Sequence, residues 1–302
     1  MMRVSSVAMF EQNVANLNRQ QSEFLKVGDQ FATGRRVVRP SDDPQAASRA
    51  VGVSQSMAVN EQFSDARISV RNSLGQTEGA LESMTNAVVR ARTLAVQAAS
   101  DTLSPADRAS LTSELKGILE TMLGQANATD GNGSYLFGGY RDDSPPFTRD
   151  ATGAIAYQGD ELVREQRVDS SRHMQVGESG EALFGQMFDT MQGFVTAMEA
   201  PRDTPAERDA ARGAIDATLR DLDTSLDTLL TRRASVGARL NELDSLDTIG
   251  GNRTLNYERT LSDLIDLDYV EAAAEYSLRQ VGLQAAQRSF VDVQKMSLFN
   301  YM

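Results

Sequence analysis

The sequence predicts a mainly α-helical protein: a long antiparallel helical rod or coiled coil with paired terminal helices and a small inserted β domain. Three observations carry that expectation. Val7, Phe10, Val14, Leu17, Gln21, Phe24, Gly28 and Phe31 alternate in steps of three and four, a heptad seam. No proline interrupts residues 45–104, and from Val70 the same spacing runs through Leu74, Thr77, Leu81, Met84, Val88, Ala91, Ala95 and Ala98. In the middle of the chain this period gives way to short apolar runs among Gly, Asp, Asn, Ser and Pro.

The first helix cannot bury its seam alone, and its best partner lies at the other end of the chain, between about 254 and 300. Gly34 suits the residue that ends it, and Pro40 blocks any continuation. Asp43 is placed to cap a second helix with Pro44 at its first position, and Asp42 and Asp43 both suit the positive end of that helix dipole. That helix should run from about 44 to 100. Ser104-Pro105 restarts the chain, and Leu111, Leu115, Ile118, Met122 and Ala126 stripe a helix that folds back on the second.

The segment NATDGNGSYLFGGYRDDSPPF reads as turn and loop, with Tyr135-Leu136-Phe137 as a buried anchor for a hairpin. Residues 146–184 read as a small β module, with Ile155, Tyr157, Val163, Val168, Met174 and Val176 as its apolar positions. Helix returns at Ala182, with a thick face of Phe184, Phe188, Met191, Phe194, Val195 and Met198. Thr204, Pro205 and Glu207 form a capping-box signal for a helix over about 205–248. One side of that helix carries Ile215, Leu219, Leu222, Leu226, Leu229, Ala234, Gly237 and Leu240, widened by Leu230, Val236 and Leu243. Gly250-Gly251 are expected to interrupt it.

The final helix, about 253–299, has apolar residues on several faces. One stripe is Leu267, Val270, Ala274, Leu278, Val281 and Ala285; a second is Leu283, Ala286, Phe290, Val293 and Ser297; Met296, Leu298 and Phe299 make a third. One pairing cannot cover them all, so other copies of the chain should cover the rest, in a ring or helical tube.

Composition excludes several function classes. The 302 residues are 40% apolar and 24% charged, with a net charge of −12, which argues against a nucleic-acid binder. With no cysteine and one histidine, His173, there is no disulfide framework, thiolate site or histidine cluster. No apolar run is long enough for a membrane span, and the N-terminus lacks the apolar core of a secretory signal. The glycines near 131–139 lack the Lys-Ser/Thr of a phosphate loop. Asp130, Asn132 and Ser134 imitate calcium ligands, yet Tyr135 replaces the required glycine and Arg141 the required glutamate. Asn127 opens a glycosylation sequon. No reactive groups converge, so neither an enzyme nor a cofactor or metal site is expected.

Four segments bear a resemblance to the bacterial flagellin superfamily. They are SVAMFEQNVANLNRQQSEFLKVGDQFATGRRVVRPSDDPQAASRA, GSYLFGGYRDDSPPF, RRASVGARLNELDSL and LIDLDYVEAAAEYSLRQVGLQAAQRSFVDVQKMSLFNYM. Within it the chain resembles the hook–filament junction branch. Pro40-Ser-Asp-Asp-Pro44 stands where flagellins usually carry Asp-Asp-Ala-Ala-Gly, and the flagellins' Ile-Asn-Thr-Asn-like start is absent. The Gly250-Gly251 pair departs from the smoother helical pattern of that branch.

The resemblance implies a flagellin-like fold: residues 1–35 with 265–302 as an inner domain of paired terminal helices, 40–134 with 185–264 as a rod, and 135–184 as an outer β domain. It implies a structural component of the bacterial flagellum, forming the junction between hook and filament and the surface on which flagellin polymerises. The alternative is a short flagellin that forms the filament itself. Implied partners are further copies in a helical tubular layer, the first hook-associated protein on the hook side, flagellin on the filament side and an export chaperone on the C-terminal helix. Neither nucleic acid nor membrane insertion is implied, and export would use the flagellar type III apparatus without a cleaved signal. The assembly residues are then those of the terminal helices: Val7, Phe10, Val14, Leu17, Phe24 and Phe31 with Leu267, Val270, Ala274, Leu278, Val281, Ala285, Phe290, Val293, Met296 and Phe299.

Overall fold

The computed structural model describes the backbone of residues 2–100, 103–151 and 153–299, and their side chains apart from 2–7, 293 and 295–299. The seam positions Val7, Val293, Met296, Ser297, Leu298 and Phe299 therefore lie outside the described side chains. The elements run α1 (Met2–Thr33), α2 (Pro44–Ala98), α3 (Pro105–Ala126), β1 (Phe147–Arg149), β2 (Ile155–Tyr157), β3 (Glu165–Asp169), β4 (Arg172–Gln175), α4 (Gly180–Glu199), α5 (Pro205–Ile265) and α6 (Tyr269–Phe299). The chain divides into two compact units, Met1–Asn60 with Gly251–Met302, and Glu61–Gly250.

Asp43 and Thr204, read from the sequence as capping residues, cap their helices. The Ala46 N–H donates to Asp43 Oδ1 at 3.0 Å, and the Glu207 N–H to Thr204 Oγ1 at 3.2 Å. The Glu207 carboxylate accepts in return from the Thr204 N–H at 2.8 Å. Ser104 and Asp107 form the same reciprocal box at the start of α3.

Within Glu61–Gly250, α2 and α5 run antiparallel, with Arg71–Asp244 at 2.8 Å, Arg233–Glu78 at 2.8 Å and Arg92–Asp223 at 2.6 Å along their length. The α2 seam from Val70 to Ala98 is buried throughout, as the spacing requires. Helix α3 returns along α2, where Arg90 meets Glu114 at 2.5 Å, and packs on α4, where Lys116 meets Glu199 at 2.5 Å. Phe184, Phe188, Met191 and Phe194 of α4 are fully enclosed, each contributing roughly 1.5–3 kcal/mol.

The strands form two antiparallel hairpins, β1-β2 and β3-β4. Their buried side chains do not make a separate core. Phe137, Phe147, Ile155, Val168 and Met174 belong to one apolar cluster with the helices. The Phe147 ring lies 5.0 Å from Phe188, and Phe137 lies 4.9 Å from Phe184. Leu136 and Phe137 are the buried anchor, while Tyr135 is only half-buried.

Two expectations for α5 are corrected. Its buried line is Ala211, Ile215, Thr218, Leu222, Ser225, Leu229, Val236, Leu243 and Gly250, whereas Leu230 and Ala234 are exposed. Leucines on adjacent faces left that choice open. Thr218 and Ser225 can be buried because their hydroxyls donate to carbonyls one turn back, Ala214 at 3.0 Å and Asp221 at 2.8 Å. Nor do Gly250-Gly251 interrupt the helix, which continues to Ile265. Gly250 is where Arg67 passes: a Cβ there would stand 2.6 Å from Arg67 Nη2. The glycine serves close packing, and its propensity cost of about 1 kcal/mol is small against 61 residues of packed helix. The break falls instead at 266–268.

Candidate functional site

Helices α1 and α6 pair antiparallel, so the two ends of the chain meet. Phe10 contacts Phe290 with ring centroids 5.5 Å apart, Phe24 contacts Tyr276 at 4.9 Å, and Phe31 contacts Tyr269 at 5.7 Å. Glu23 and Arg279 form an ion pair across the helices. On α1, Val14, Leu17, Phe24 and Phe31 are half-buried, Phe10 is more open, and Val27, beside the seam position Gly28, is buried.

On α6 the face turned to α1 is Tyr269, Ala272, Tyr276, Arg279, Leu283, Ala286 and Phe290, a second heptad line. Tyr269, Ala272 and Tyr276 had not been singled out in the sequence. The signal was present: Tyr269 and Tyr276 are seven residues apart, matching Phe24 and Phe31. Of the first α6 stripe, Leu267 is half-buried in the connection before the helix, while Val270, Ala274, Leu278, Val281 and Ala285 face outward. Val270, Leu278 and Val281 are 83%, 70% and 63% exposed.

At the base of the pair the α1–α2 and α5–α6 connections are hydrogen-bonded to each other. The Arg36 N–H donates to the Ile265 carbonyl at 2.8 Å and the Leu267 N–H to the Gly34 carbonyl at 3.0 Å. Gly34 has φ +67°, and a Cβ on it would stand 2.8 Å from the Tyr269 hydroxyl, so both backbone and space call for glycine. The Arg36 guanidinium donates to the Leu264 carbonyl at 2.6 Å and to Asp43 at 3.1 Å. Lys26 pairs with Asp42 at 3.0 Å. The N–H of Arg39, with Lys26, holds the Asp42 carboxyl below its ordinary value; the N–H of Ala46, with Arg36, does the same for Asp43. Asp268 caps α6, accepting the Val270 N–H at 2.8 Å.

This unit has little core of its own. Among the described residues its buried apolar side chains are Val27, Val37, Ala46, Ala50 and Ala272, three of them alanines. Its charge is also distinctive. Helix α1 carries Arg3, Arg19 and Lys26 against Glu11, Glu23 and Asp29; α6 carries Arg279, Arg288 and Lys295 against Glu271, Glu275 and Asp292. Both helices are neutral, so the net −12 lies wholly in residues 34–268. Apolar stripes on a neutral helix pair suit contact between like molecules, since no net charge repels the copies.

The other positions raised by the sequence are accounted for locally. The Asn127 amide is engaged on both sides by the Phe147 backbone, donating and accepting at 2.9 Å. Asp130 Oδ1 accepts the N–H groups of Asn132 and Ser134 at 2.8 and 3.0 Å, making a turn of the calcium-like segment. His173 is exposed on β4 opposite Arg167. Among the described residues no group of His, Asp or Glu could hold a metal ion, and no helix is long and apolar enough to cross a membrane.

The bacterial flagellin N-terminal helical region matches residues 4–142. Flagellar hook-associated protein 3 of Escherichia coli is 37% identical over 316 aligned positions, covering 99% of each chain. The chain belongs to the family of flagellar hook-associated protein 3, the hook–filament junction proteins. Its Salmonella typhimurium relative is 38% identical, again over 99% of each chain. The solved hook-associated protein 3 of Legionella pneumophila shares the fold, with a TM-score of 0.67 at 19% identity, covering 70% of this chain and 98% of that one. A Xanthomonas campestris FlgL structure has a TM-score of 0.65 at 20% identity, covering 70% and 99%. B-type flagellin of Pseudomonas aeruginosa matches at 33% over only 48% of this chain and 30% of its own length, so the filament-subunit alternative has far weaker support. The relatives are structural proteins of the flagellum, and this chain is a flagellar component.

Proposed function

We propose that this protein builds the hook–filament junction by polymerising through its terminal helix pair into a helical tubular layer. The observation that carries this is the outward α6 line Val270, Ala274, Leu278, Val281 and Ala285, which this chain leaves uncovered. Neighbouring copies cover that line in the layer. Residues 1–35 with 265–302 form the inner domain, 40–134 with 185–264 the rod and 135–184 the outer β domain. The first hook-associated protein contacts one end of the layer, and flagellin polymerises on the other. The role is structural and assigns no catalytic residue.

The chain travels through the flagellar type III apparatus without a cleaved signal, with a chaperone on its C-terminal helix. The sparse core between the termini supports this reading, because such helices stay incompletely ordered until neighbours bury their faces. Deleting the gene and examining the cells by electron microscopy, with flagellin assayed in the medium, tests the function. Intact hooks, absent filaments and released flagellin are expected. Normal filaments would refute the junction role.

A further inference from the structure

We infer that an arginine-lined cavity at the Ala98 end of the paired α2 and α5 is the surface through which this protein holds carboxylates of a different flagellar protein. The inference rests on the junction reading. In a layer of copies packed flank to flank, the ends of the helical bundle are left for the proteins before and after it.

The cavity has a volume of about 430 Å³ and lies where α2 ends and α3 and α5 begin. Arg108, Arg202, Arg208 and Arg212 line it, and among the described lining residues Asp209 is the one carboxylate. Elsewhere between α2 and α5 the arginines meet carboxylates of their own chain: Arg71 with Asp244 and Asp247, Arg92 with Asp223, and Arg233 with Glu78. Arg202 and Arg212 have interactions of their own and add their charge to the wall. Among the described residues no carboxylate pairs with Arg108 or Arg208; Arg208 Nε donates to the Thr204 carbonyl at 3.4 Å.

Folding alone would not select this placement. Arg108 and Arg208 are each the fourth residue of a helix, near the positive end of its dipole, where a cation is disfavoured. The carboxylates that suit those ends are committed to the backbone. Asp107 accepts the Ser104 N–H at 3.2 Å, and Glu207 accepts those of Asp203 and Thr204 at 2.9 and 2.8 Å. One cation would complement the end of α2, whose last turn carries none, but that end does not call for four. Guanidiniums sharing one opening offer paired N–H groups to clustered carboxylates, a two-pronged fit that an ammonium lacks. The net charge of −12 repels long polyanions such as nucleic acid, which leaves a local acidic patch on a docked protein as the ligand.

Charge reversal separates this role from a structural one. Arg108→Glu with Arg208→Glu puts acids where both helix dipoles favour them, so the thermal melt of the full-length monomer should be unchanged or raised. Cells carrying only this variant, exported at the parent level, should show at least about tenfold fewer filaments, because like charges then face each other across the contact. Undiminished filaments, or a lowered melt, overturn the inference. The partner is read by carbodiimide coupling, which joins an amine to a touching carboxylate. The chain has lysine only at Lys26, Lys116 and Lys295, so Arg108→Lys with Arg208→Lys keeps the charge and adds two amines at the cavity. In isolated hook–filament assemblies, links from positions 108 and 208 should run to Asp or Glu of a protein other than this one. No link, or links confined to this chain within or between copies, overturns the inference. Absence of the chain from those assemblies would refute the junction reading itself, and this inference with it.

Discussion

Replacing Leu278 with Asp separates folding from assembly. Leu278 is 70% exposed, so the monomer loses little buried area. The main folding cost is helix propensity, about 0.5 kcal/mol. In a layer whose copies cover this line, the same change removes a leucine burial worth roughly 1.5–3 kcal/mol. It also forces a carboxylate into an apolar contact, at a further cost of about 2 kcal/mol or more. The sum, about 4 kcal/mol, weakens each interface by roughly a thousandfold, and every copy carries the defect. Leu278→Ala loses only the burial part and should weaken assembly far less. The measurements are denaturant unfolding of the purified monomer and filament counts by electron microscopy in a strain carrying only the variant. An unchanged unfolding curve with absent filaments is expected. Normal filaments on Leu278→Asp cells would refute the reasoning, and a large loss of monomer stability would mean that the residue is buried within the chain.

Asp268→Ala removes the cap of α6 and should cost about 1 kcal/mol, seen as faster amide exchange in 269–276 with the α2–α5 core unchanged. The two adjacent glycines of α5 should respond oppositely. Gly251→Ala meets open space and should stabilise by up to about 1 kcal/mol, whereas Gly250→Ala must displace the Arg67 head from Asp247 and Val168 and should destabilise, both read by thermal melts. Acid should loosen the hydrogen-bonded connections at the base of the α1–α6 pair. Asp42 and Asp43 titrate lower folded than unfolded, so their contribution is present above the ordinary carboxylate pKa of about 4 and is lost as pH falls through the lower folded values. Protection at 24–31, taken relative to the intrinsic exchange rate at each pH, should fall below about pH 4, and less so in Asp42→Asn with Asp43→Asn.

Much of this architecture was legible in one dimension. Seams that alternate by three and four name the buried face wherever that face is unique, as in α2 from Val70 to Ala98. Capping signals at Asp43 and Thr204 were readable because a cap is local, its donor and acceptor lying within four residues. The Asp268 cap was equally local but was masked by the assumption that the helix break lay at Gly250-Gly251. Those glycines promised a break on propensity, and the packing of Arg67 against Gly250 explains their presence without one.

The sequence by itself determined that the termini are amphipathic helices, that the net charge lies between them and that neither a thiolate site nor a histidine cluster can form. Only the tertiary structure decided which of the α6 stripes turns to α1. Both are apolar and heptad-spaced, so periodicity cannot rank them; the matched aromatic pairs and the Glu23–Arg279 bridge settle it, and they exist only once the two ends of the chain are side by side. The same holds for the connections at the base of that pair, where Arg36 meets Leu264 and Ile265 across more than two hundred positions, a separation across which a local sequence pattern carries no geometric information.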